Sequence, residues 1–145
     1  MTMVQEQLHP VRNILLVDDD KDELFIFEMA IKEAGIEAII AQVLDGELML
    51  QRLHQELPDV IFLDIRFPAD DGLMRLQQLR QHTAYCKIPI IIYSTLLTPE
   101  EVEMAFQAGA NYCLTKSTAI GEMVAHLQHI FCHGALSPRL IKTSA

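Results

Sequence analysis

The chain has 145 residues, half of them hydrophobic, with a net charge of −9 and a pI near 5.0. That length suits one domain with a real core, and the eleven scattered Lys and Arg residues exclude nucleic acid or an anionic membrane as the expected partner. No apolar run approaches membrane-spanning length, MTMVQEQLHPVRN lacks a signal-peptide core, and Cys86, Cys113 and Cys132 form no CxxC, so reduced thiols and a cytoplasmic setting are expected.

Strand-like and helix-like patterns alternate along the chain. NILLVD (13–18) is an apolar run of strand length that ends in acid. The stretch 20–35 reads as a helix with Leu24, Phe27, Ile31 and Ala34 on one face and Gly35 as its stop. EAIIAQV (37–43) is a second strand, and Asp45 starts a short helix carrying Leu48 and Leu53. DVIFLD (59–64) is a third strand, followed by a helix over 72–81 with Leu73, Leu76 and Leu79 spaced by three.

IPIIIYS (88–94) is a fourth strand whose run of isoleucines predicts burial on both faces. Thr98, Pro99 and Glu101 predict a capped helix start with a capping box, and that helix carries Val102, Ala105 and Phe106 before Gly109 ends it. NYCLT (111–115) is a fifth strand. The last helix, about 118–132, places Ile120, Met123, Val124, Leu127, Ile130 and Phe131 on one stripe.

Five βα units with short connections predict a five-stranded parallel sheet between two helical layers, an α/β/α sandwich. Residues 1–10 read as an amino-terminal extension, 11–133 as the domain and 134–145 as a tail. Ligands of such sheets bind beyond the carboxyl ends of the strands. Those ends hold Asp18, Asp19 and Asp20 after the first strand, Asp64 after the third, Ser94 and Thr95 on the fourth, and Lys116 after the fifth. Clustered carboxylates repel one another, and a hard divalent cation such as Mg²⁺ offsets that repulsion. A lysine and a hydroxyl beside such a cation suit a phosphoryl group. An aspartate beside the metal can be the nucleophile that forms an acyl phosphate.

In order and placement, LLVDDD, FLDIRFPADDG, PIIIYST and AGANYCLTKS resemble the receiver domain of two-component response regulators. The likeness is to the stand-alone, chemotaxis-type members and covers about residues 12–133. It implies a flavodoxin-like fold with strand order 2-1-3-4-5. It also implies that Asp64 is the phosphoacceptor and that Asp18, Asp19, Asp64 and the Arg66 carbonyl form the Mg²⁺ site. Ser94 and Lys116 would be the site hydroxyl and lysine, and Pro68, Asp71 and Gly72 would belong to the loop after the phosphoacceptor. The implied donor is a sensor histidine kinase or a histidine phosphotransfer protein. The implied output surface is helix 4, strand 5 and helix 5, open to a protein target or to a second copy as a homodimer. No turnover is implied beyond self-catalysed phosphorylation and dephosphorylation.

Three departures from the family pattern carry information. Cys113 stands where an aromatic readout residue is common, so movement of Ser94 is expected to be read through the 95–101 segment and the following helix. Ser117 replaces the usual proline; a cis bond there would cost about 2.5–4 kcal/mol, so trans is expected. Arg66 and Leu96 occupy the positions that tune phosphoryl lifetime, Leu96 by limiting water and Arg66 by meeting the phosphoryl group or a neighbouring acid.

Plainer roles are expected elsewhere. Asp20 reads as a helix N-cap, and Asp22 and Glu23 as first-turn acids. Asp70 and Asp71 read as structural rather than metal-binding. His126, His129 and His133 with Cys132 read as a solvated helical face rather than a metal site, and none of the six histidines is placed as a phosphorelay residue. Two other functions compete. A degenerate receiver would use the fold for contacts alone. A haloacid-dehalogenase-type phosphatase would share Asp18-x-Asp20, but Lys21-Asp22 follows it and no acidic pair follows Lys116. A nucleotide-binding fold lacks its glycine-rich loop.

Overall fold

The computed structural model describes residues 13–67, 70–117 and 119–132. Five parallel strands form one sheet: β1 (Asn13–Val17), β2 (Ile39–Val43), β3 (Val60–Leu63), β4 (Ile90–Ser94) and β5 (Tyr112–Thr115). Their spatial order is 2-1-3-4-5, as expected for the flavodoxin-like class. The helices are α1 (Lys21–Glu33), α2 (Gly46–Gln55), α3 (Gly72–Gln81), α4 (Pro99–Ala108) and α5 (Ile120–Cys132).

Successive strand residues face opposite sides of a sheet, and β1 shows it. Ile14 and Leu16 join one buried cluster with Phe27 of α1, Phe62, Tyr93, and Met123 and Leu127 of α5. Leu15 and Val17 join the other with Met49 of α2, Leu76 and Leu79 of α3, and Ala105 of α4. The β4 isoleucines are fully buried because both faces of that strand are covered.

The helix starts follow the sequence signals. Asp20 caps α1 by accepting from Asp22 N, Asp45 caps α2 by accepting from Leu48 N, and Thr98 with Glu101 completes the capping box of α4. Gly109 ends α4 in the left-handed region at φ 111°. The sequence reading did not foresee a short antiparallel ribbon that pairs Arg66–Phe67 with Asp70–Asp71 directly after β3. Pro68, the two terminal segments and His133 lie outside the described residues. No helix among the described residues is long and apolar enough to cross a membrane.

Candidate phosphoryl-accepting site

Sheet register brings the site residues together. Val17 pairs with Leu63, so Asp18 and Asp64 leave the sheet side by side. Leu63 pairs with Ile92 and Ser94 with Thr115, which carries Ser94 and Lys116 to the same edge. One more hydrogen bond beyond each strand pins each residue. Asp18 N donates to Val43 O, Asp64 N to Val17 O and Lys116 N to Ser94 O.

Asp64 is nearly enclosed, at 5% exposure. Its Oδ1 accepts from Ser94 Oγ at 3.0 Å and from Arg66 N at 2.9 Å, and its Oδ2 accepts from Lys116 Nζ at 3.0 Å. Lys116 also lies 2.6 Å from Asp18 Oδ2. The Lys116–Ser117 peptide is trans, as expected without a proline. Gly72 explains how α3 starts so close to Asp64: a Cβ there would stand 2.5 Å from Ile65 Cα and 2.8 Å from Asp64 O. Asp71 is the N-cap of α3, accepting from Leu73 N and Met74 N, which is the structural role expected for it.

Asp18, Asp19 and Asp64 each offer one carboxylate oxygen within 4.8 Å of the others. Burial pushes the Asp18 carboxyl up, and the Lys116 hydrogen bond and the Asp20 N–H oppose that without cancelling it. Asp18 Oδ2 is buried and meets the Lys116 ammonium at 2.6 Å, with no hydrogen bond from any other group among the described residues. An oxygen-only donor set of three clustered carboxylates fits a hard divalent cation. For Lys116, burial pulls the ammonium down. The hydrogen bonds and charges of Asp18 and Asp64 outweigh it and leave the lysine above its ordinary value.

Several contacts had no sequence signal. Gln42 on β2 donates its amide to Asp18 O at 3.0 Å and Asp20 O at 2.9 Å, bracing the acidic loop. Tyr93, fully buried behind Ser94, donates to Glu23 and lies under Lys116, with Nζ 5.4 Å from the ring centroid. Glu23 is therefore a buried partner as well as a first-turn acid. Arg66 donates from Nε and Nη2 to Leu96 O at 3.0 and 2.8 Å, and Nη2 meets Glu101 Oε1 at 2.5 Å. The Leu96 side chain is 69% exposed. Thr95 is also exposed. Cys113 is buried on the α4 side of β5, where burial pushes its thiol up to about 12. Tyr112 packs on the opposite face and has the His129 ring 6.0 Å away.

Comparisons with known proteins place these features in context. The family model for the response regulator receiver domain matches residues 14–128. The DNA-binding transcriptional regulator NtrC of Escherichia coli (strain K12) is 32% identical over 120 residues, covering 83% of this chain and 25% of that protein. The chain thus spans about a quarter of that relative's length. Among solved structures, the Mn(2+)-bound form of response regulator Rcp1 superposes with a TM-score of 0.71 at 25% identity, covering 82% of this chain and 91% of that one. A putative response regulator from Chloroflexus aurantiacus J-10-fl gives a TM-score of 0.71 at 29% identity, covering 83% and 98%.

Proposed function

The chain belongs to the response regulator receiver domain family, and from that premise we propose that Asp64 accepts a phosphoryl group from a phosphohistidine. The donor would sit on a sensor histidine kinase or a phosphotransfer protein, and the signal would leave by protein–protein contact. The observation that carries this reading is the seating of Asp64. A nearly buried carboxylate has one oxygen on Ser94 and Arg66 N and the other on Lys116, beside two further acids.

Asp18, Asp19, Asp64 and the Arg66 carbonyl would hold Mg²⁺. The bound ion would neutralise the acids and the phosphoryl oxygens. A carboxylate oxygen of Asp64 attacks phosphorus, the P–O bond forms, and the P–N bond breaks with its electron pair leaving on the imidazole. The Ser94 hydroxyl and the Lys116 ammonium are free to turn from the carboxylate to the phosphoryl oxygens, where negative charge accumulates. The sheet ladder holds both groups, so little reorganisation is needed. Arg66 and Leu96 flank the site and would set how long the acyl phosphate lasts. The face formed by α4, β5 and α5 would meet a target or a second copy of the chain.

Intact mass after incubation with acetyl phosphate and Mg²⁺ tests the reading. One added phosphoryl group on the parent, and none on Asp64→Asn, is the expected result. If acetyl phosphate and a panel of phosphorylated kinases all leave the parent unmodified, the fold serves contacts alone.

A further inference from the structure

Arg66 is tied to Asp64 and to α4 at once. Its backbone N–H donates to Asp64 Oδ1, while its guanidinium reaches away to Leu96 O and Glu101. Glu101 is the N3 residue of α4, and the oxygen that meets Arg66 also accepts from Thr98 N at 3.0 Å. One carboxylate oxygen therefore serves both the helix cap and the arginine.

That pairing is exchangeable. The two side chains are 42% and 26% exposed, and ion pairs of that kind are weakly held. A phosphoryl group is the stronger competitor, because it brings about −1.5 to −2 charge and three acceptor oxygens, and a guanidinium binds it in two-pronged fashion. The main chain of Arg66 already stands beside Asp64, so side-chain rotation carries the guanidinium toward that residue.

We infer that the Arg66 guanidinium is a phosphoryl-binding arm held in reserve by Glu101, and that its transfer releases the first turn of α4 as the signal. The inference rests on Asp64 accepting a phosphoryl group. It supplies a route from the site to α4 that needs no aromatic side chain on β5, where Cys113 is too small to swing into place.

Beryllofluoride with Mg²⁺, a phosphoryl mimic, tests this by titration followed through backbone amide resonances. The variants are Glu101→Gln, Arg66→Met and the pair together. Glutamine at N3 keeps the capping box while removing the charge. Glu101→Gln should tighten beryllofluoride binding about two- to fivefold, the worth of a surface ion pair. Arg66→Met should weaken binding and erase the Glu101→Gln gain. Amide shifts at 100–102 should accompany binding in the parent and vanish in Arg66→Met. An equal gain with and without Arg66, or no gain when the parent binds normally, overturns the arm and leaves the Asp64 reading standing. No binding by the parent overturns both.

Discussion

Tyr93 donates its hydroxyl to the Glu23 carboxylate, joining β4 to α1 inside the core, with the phenol fully enclosed and Glu23 at 8% exposure. Burial first, then the Glu23 bond and charge, raise the phenol, so it remains the donor. Tyr93→Phe strands the carboxylate and should cost about 1–3 kcal/mol in urea unfolding. Glu23→Leu combined with Tyr93→Phe removes both polar ends and should recover most of that loss. Equal destabilisation by the single and double variants would refute the pairing.

The same glutamate sets a pH dependence. Burial is the main cause that raises its carboxyl above the ordinary 4.5; the Tyr93 bond and the Lys116 charge oppose it. The folded state therefore binds this proton more tightly than the unfolded chain does. Its contribution to stability is present below 4.5 and is lost as pH climbs through the raised value. Glu23→Gln lacks this loss. The stability of Glu23→Gln relative to the parent should rise as pH climbs from 4.5 through the raised value. A flat or falling difference in denaturation midpoints would contradict the assignment.

Gly72 has no room for a side chain. A Cβ at 2.5 Å from Ile65 Cα and 2.8 Å from Asp64 O would push against backbone, which cannot rotate away. Gly72→Ala should destabilise by about 1–3 kcal/mol. It should also slow phosphoryl acceptance, because the strained segment carries Asp64. Unaltered kinetics with acetyl phosphate would separate α3 packing from site geometry.

Cys113 should be inert in the folded protein. Its thiol is fully buried and pushed up to about 12, whereas Cys86 is half-buried. Iodoacetamide at about pH 8 acts on thiolates, so the Cys86 peptide should be labelled well before the Cys113 peptide. Matching rates by peptide mass spectrometry would mean that β5 opens readily.

Much of the site was legible because each member closes or follows a strand. Asp18, Asp64, Ser94 and Lys116 are marked by the apolar runs before them, and parallel strands in right-handed βα units share one carboxyl edge. The helix caps were legible because capping is local: Asp20, Asp45, Thr98 and Glu101 act within two or three positions.

The contacts that tune the site lie on another scale. Gln42 reaches Asp18 across 24 positions, Arg66 reaches Leu96 across 30, and Tyr93 reaches Glu23 across 70. No periodicity or spacing encodes such partners, since they depend on strand order and side-chain direction. Glu101 shows the division within one residue. Its capping role follows from three neighbours in sequence, while its bond to Arg66 exists because the fold lays the segment after β3 against the start of α4. Burial periodicity and local hydrogen bonding were enough for the elements, their order and the acidic edge. Three-dimensional packing chose which charges meet behind and beside it.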